Sequence, residues 1–210
     1  FVWRLPFPSD IATDVVSIER PHGNITNSDL ELAAEVLAIG TLHAKAPFTK
    51  WEPIGTLCDN TPTVSWIEKM ASKSLSPTAG RLLRGLACML HHYHAGRVTT
   101  VHVPGHDYIM ADIASRPSKA HALFRCATPT LSDPDFLSAF DRMFPLPQQA
   151  LWSFAMVPIW LKSNVFETLR GKRLDLRLWM GPSGTGIGMR GGSTACSTPT
   201  TTTARSCPPP

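Results

Sequence analysis

The sequence predicts an α/β fold, a mixed sheet flanked by helices, and two observations carry that expectation. Residues 51–58 are an apolar run that ends at Asp59-Asn60, and Thr61-Pro62 then turns the chain into an amphipathic segment. That is how a strand hands over to a helix. Strand-like and helix-like stretches also alternate: helical periodicity at 28–44, 63–72 and 77–96, a second β-rich run at 98–103, and a further helical stretch at 108–115. Alternation of this kind predicts helices packed on a sheet.

Taken in order, residues 1–5 and 14–18 read as short extended segments separated by Pro6, Pro8 and Ser9-Asp10. A loop at 21–24 leads into the first helix, where Leu30, Ala34, Leu37 and Ala38 recur at helical spacing and Asn27 or Ser28 can cap the start. The stretch at 77–96 carries Leu82, Leu83, Leu86, Met89 and Leu90 as its apolar stripe, with Pro77 in front and Gly96 behind, the usual helix asymmetry. The helix at 108–115 carries Asp112, a further helix opens at Asp133-Pro134, and the stretch 152–169 is interrupted at Pro158. Three regions are expected: an α/β domain over 1–117, a helical connector over 118–180, and a low-complexity tail over 181–210 that should be disordered.

Composition narrows the classes. The 210 residues allow one or two domains, and 43% hydrophobic content suits a packed core. A net charge of +4 is mildly basic and compatible with a polyanionic partner. The five cysteines (Cys58, Cys88, Cys126, Cys196, Cys207) are odd in number and contain no C-x-x-C, which argues against a disulfide scaffold or a zinc ribbon and for a reducing, intracellular compartment. The longest apolar run, 150–161, contains Pro158 and falls short of the ~20 residues a bilayer span needs, so no membrane association is expected. The chain opens on Phe1-Val2-Trp3-Arg4, without the features of a signal peptide. Asn24-Ile25-Thr26 spells a glycosylation sequon with no other sign of secretion.

Several side chains are candidates for chemistry, and each has a plainer role. Asp59 at a strand tip would point into the crevice where α/β sheets bind ligands, whereas Asp-Asn before Thr-Pro is also ordinary turn and cap chemistry. Glu31 stands three residues after Ser28 and can close a capping box. Glu35, one turn on, extends the same acidic face or meets solvent or a base. Lys73, Arg81 and Arg84 sit where they can contact phosphates or simply be solvated. His91, His92 and His94 suit a helix C-terminus. His102 and His106 have the H-x-x-x-H spacing of zinc ligands, but Pro104-Gly105 breaks any helix between them. Gly181-Pro182-Ser183-Gly184-Thr185-Gly186 lacks the Lys-Ser/Thr of a phosphate loop.

Three stretches, taken together, resemble a known family. They are Thr26-Asn27-Ser28-Asp29-Leu30-Glu31-Leu32-Ala33, then Cys58-Asp59-Asn60-Thr61-Pro62-Thr63-Val64-Ser65-Trp66, then Val103-Pro104-Gly105-His106 followed by Ala111-Asp112-Ile113-Ala114-Ser115-Arg116. In order and spacing they resemble the ribonuclease H domain that follows reverse transcriptase in retrotransposon polyproteins, over roughly residues 1–117. Residues 144–148 and 169–174 resemble the connector that follows this nuclease in some retroelements.

The resemblance implies cleavage of RNA in an RNA–DNA hybrid with two Mg2+ ions about 4 Å apart, held by Glu31, Asp59 and Asp112. It implies that His106, with His102 as its rival, assists proton transfer at the leaving group, and that Asn60, Lys73, Arg81 and Arg84 contact nucleic acid. Four carboxylates serve the family, and the first lies on a central strand for which this sequence has no position. The chain is expected to begin inside the second strand, downstream of a missing reverse transcriptase segment. Catalysis is then expected to be lost, and the fragment to be poorly stable because two strand edges are left unpaired.

Overall fold

The computed structural model describes residues 1–72, 76–107, 109–115 and 133–181, except for the side chains of Asp112, Ser115, Asp133, Pro134, Asp135 and Gln149. Lys73 and the expected tail beyond Gly181 lie outside the described residues. The elements are α1 (Ser9–Thr13), α2 (Asn27–Lys45), β1 (Ile54–Cys58), α3 (Thr61–Lys69), α4 (Pro77–His92), β2 (Val98–His102), α5 (Ile109–Ser115), α6 (Asp133–Met143) and α7 (Ile159–Leu169). Short 3-10 turns occur at Pro147–Gln149 and Leu176–Met180.

The chain is α/β, as expected, but among the described residues the sheet holds only β1 and β2, and they run parallel. Ile54 pairs with Val98 and Cys58 with His102. A parallel pair needs a long crossover, which α3 and α4 supply. Side chains alternate across the strands with a period of two. Ile54, Cys58, Val98 and Thr100 face inward, while Gly55, Leu57, Thr99 and Val101 are exposed.

Neither extended segment expected before α2 joins the sheet among the described residues. Val2 makes a single parallel bridge to Phe154 and Val15 a single bridge to Ile25, and residues 9–13 between them are helical. Pro6 and Pro8 separate the two segments, and the Pro8 carbonyl accepts from Ala12 N–H at 2.9 Å, opening α1. Ile11 then buries itself in the main core.

That core is organised around α2. Leu32, Val36, Leu37 and Ile39 on α2 meet Leu82, Leu86 and Met89 on α4 and Leu161, Val165 and Phe166 on α7. Each such side chain, fully buried, contributes ~1.5–3 kcal/mol. Close approach is made possible by two glycines: a Cβ on Gly40 would meet the Leu161 side chain at 2.3 Å, and one on Gly85 would meet the Trp179 ring at 2.6 Å. Residues 159–180 therefore pack into the same core as the α/β segment. A second, smaller cluster joins Val2, Ile113, Phe136 and Phe140, with Trp152 covering it and donating from Nε1 to Phe144 O at 2.6 Å.

A candidate metal centre at the tip of the first strand

The start of α2 is set by Thr26 rather than by Asn27 or Ser28. Thr26 Oγ1 accepts from Asp29 N–H at 3.2 Å, and Asp29 Oδ2 accepts from Thr26 N–H at 2.8 Å, closing a capping box. Asp29 is buried, and its other oxygen accepts from Ser76 Oγ at 2.5 Å. Ser76 Oγ in turn accepts from Ala79 N–H at 3.0 Å and caps α4. One carboxylate thus ties together the first turns of two helices. The box that the sequence offered to Ser28 and Glu31 is made by Thr26 and Asp29, which leaves Glu31 out of the cap. At 100° per residue Glu31 points some 200° around the helix from Asp29.

The end of β1 is held from the other side. Asn60 Oδ1 accepts from Thr63 N–H at 3.0 Å and caps α3. Buried Thr63 places its hydroxyl 3.1 Å from Ser28 O and 3.0 Å from Asn60 Oδ1, joining the start of α3 to the start of α2. The side-chain oxygen of Asn60, a residue expected at nucleic acid, is therefore engaged in the cap. Thr63, a residue that sequence reasoning did not single out, locks the two helix starts together around Asp59.

The outcome is a small cluster. Glu31, Cys58 and Asp59 each bring a ligand atom within 4.8 Å of the others. Cys58 is buried, Glu31 half-buried and Asp59 exposed. The Cys58 thiol is pushed up to about 12, chiefly by burial, against the relief of the Asn60 N–H, with the charges of Glu35, Glu31 and Asp59 adding to the rise. It stays protonated at neutral pH and is a poor ligand for a hard cation.

Glu35 corrects another expectation. It is not a solvated or ion-paired group: burial pushes its carboxyl up to about 7, a hydrogen bond with Thr56 works against that rise, and the Glu31 charge adds to it. Thr56 Oγ1 lies 2.8 Å from Thr100 Oγ1, so a polar thread runs from Glu35 through both strands.

The loop after β2 passes the same spot. A Cβ on Gly105 would lie 3.4 Å from Asp59 Oδ2. His106, next in sequence, is exposed with its Nε2 3.4 Å from Asp107 Oδ2. His102 is exposed at the end of β2, opposite Cys58 in register. Asp112 lies on α5, and its side chain is outside the described residues. Arg81 and Arg84 are on α4, the first half-buried and the second exposed.

The cluster lies at the carboxyl end of β1, the side of a parallel sheet on which ligands bind. Two carboxylates there fit one hard divalent ion completed by water, since Mg2+ is usually held through one or two carboxylates. Among the described residues, the set does not extend to a second ion. Comparison with protein-family models, with curated proteins and with solved structures finds no match for this chain.

Proposed function

We propose that the tip of β1 binds a divalent cation through Glu31 and Asp59 beside a nucleic acid. In this reading the chain carries a nuclease-like module of ribonuclease H type, derived from a retrotransposon polyprotein, whose described ligands serve one ion rather than the two that turnover needs. The observation that supports it is the convergence of two carboxylates far apart in sequence, Glu31 and Asp59, in one cluster. A reading in which both are unconnected caps and turns gives no reason for them to meet, and the α2 cap is made by Thr26 and Asp29 instead.

A bound divalent ion would polarise a phosphate oxygen and acidify a water. The protein's own part is to bring the two carboxylates together, to keep a neutral thiol behind them, and to carry a proton on Glu35 near neutral pH. His106 stands exposed on the loop flanking Asp59. The ligand count among the described residues also favours a second reading, a nucleic-acid-binding module without catalysis, because two-ion hydrolysis needs ligands for a pair of metals.

The test is an RNA–DNA hybrid with the full chain, in Mg2+ and in Mn2+. The expected result is salt-dependent binding without cleavage. Robust cleavage abolished by Asp59→Asn would overturn the loss of turnover and keep the metal site. Absence of hybrid binding even at low salt would remove both readings.

A further inference from the structure

A pocket of about 410 Å3 opens where the C-terminal ends of α2 and α4 meet the start of α7 and the turn that ends at Gly181. That size is ordinary for a small-molecule site. Its flat surfaces are His43, Tyr93 and Trp160, with His92 at the edge. His43 and Tyr93 stack face to face, 3.6 Å between ring centres and 8° from parallel, and Phe48 packs against His43. The His43 ring is held in one form. Its Nδ1 accepts from Phe48 N–H at 3.1 Å, so in the neutral ring the proton sits on Nε2. Burial, with the neighbouring His92 adding to it, holds its pKa below the ordinary histidine value, which keeps the ring neutral. A metal ion is thereby a poor occupant. A ligating imidazole offers the lone pair of its free nitrogen, and here that nitrogen carries the hydrogen.

Three polar ends in this lining have no hydrogen-bond partner among the described residues: His43 Nε2–H, the Tyr93 hydroxyl and Trp160 Nε1–H. None of them is sealed from solvent. All three can donate, so they call for acceptors. No described residue of the lining is a carboxylate, so nothing there neutralises a cation. The last turns of α2 and α4 end at the pocket, and the negative ends of their dipoles disfavour an anion. We propose that this pocket binds a planar, uncharged ring bearing carbonyl acceptors, the chemistry of a pyrimidine base. The ring lies against the aromatic walls, as bases do on aromatic side chains, and its carbonyl oxygens accept from the open donors. Gly181, at φ 75°, closes the pocket beside Trp160, where a Cβ would lie 3.3 Å from the indole ring. The base is carried by a nucleotide chain or belongs to a free nucleoside. The pocket goes beyond the metal reading: Trp160 and Gly181 lie outside the segment that resembles the nuclease, and no residue of the β1 tip takes part.

The experiment titrates the full chain with uridine and with an oligouridylate of about 12 nucleotides, followed by NMR, with tetramethylammonium as the cationic control. Trp160→Phe keeps a ring and loses the indole N–H, and Tyr93→Phe keeps the ring stacked on His43 and loses the hydroxyl. Each is expected to weaken uridine binding at least threefold, and Trp160→Leu at least tenfold. Trp51→Phe, the same change at an exposed tryptophan outside the lining, is expected to stay within twofold. Equal urea midpoints for the parent and the phenylalanine variants separate loss of contact from loss of fold. Tighter binding of the oligouridylate through the same residues assigns the base to a nucleotide chain, and equal or tighter binding of uridine to a free nucleoside; either result supports the pocket. Uridine binding unchanged in every variant, no saturable binding at millimolar uridine, or tighter binding of tetramethylammonium would overturn it. Asp59→Asn is expected to leave uridine binding unchanged, so failure of the metal site and failure of the pocket are read separately.

Discussion

Glu35→Gln is the substitution whose effect follows most directly from the structure. In the folded chain the Glu35 carboxyl is pushed from the ordinary 4.5 up to about 7. The folded state therefore holds a proton that the unfolded state releases between those values, and by linkage stability falls as pH rises through that window. The contribution of neutral Glu35 is intact below about 4.5, declines toward 7 and is gone above it. At about 1.4 kcal/mol per pH unit, and allowing for partial exposure, the loss is about 2–3 kcal/mol. Glutamine keeps the shape and a partner for Thr56 but cannot ionise. Urea denaturation at pH 5 and pH 8 is the assay. The variant should gain ~2–3 kcal/mol over the parent at pH 8, match it within ~1 kcal/mol at pH 5, and show a flatter pH dependence. An equal effect at both pH values, or a parent equally stable at both, would refute the buried, proton-bearing Glu35.

Three further outcomes follow from the same structure. Asp29→Ala removes the caps of α2 and the Ser76 contact that steadies α4, and should cost ~2–4 kcal/mol in a denaturation experiment. Gly85→Ala drives a methyl into the Trp179 ring. It should cost ~1–3 kcal/mol and change the tryptophan fluorescence, whereas Gly55→Ala, with open space around it, should not disturb Trp179. Cys58 should react slowly with a thiol reagent in the native chain, because burial keeps it protonated, and at the rate of a free thiol in urea.

The helices α2 and α4 were legible because each has an apolar stripe at helical spacing and turn chemistry at its ends. The first boundary was displaced because Thr26-x-x-Asp29 is a capping box with Asp in the place usually held by Glu or Gln. The N-terminal segments read as extended, and each makes a single bridge, Val2 to Phe154 and Val15 to Ile25, partners that local pattern does not reveal. At the site, the meeting of Glu31 and Asp59 was anticipated through the family resemblance rather than through local pattern. Glu35 was not, since a glutamate on a helix is usually solvated and only the packing of α2 on Thr56 shows otherwise. The contribution of α7 and Trp179 to the main core was equally hidden. Pro158 breaks the apolar run before α7, and residues 172–180 carry no helical period that would predict a buried tryptophan.

Binding of Mn2+ to the full chain, followed by electron paramagnetic resonance, decides whether Glu31 and Asp59 form a divalent cation site. One bound ion per chain is expected, with affinity reduced at least tenfold in both Glu31→Gln and Asp59→Asn while the fold stays intact by circular dichroism. Mn2+ binding of the same strength in the parent and in both variants, or none in any of them, would contradict it.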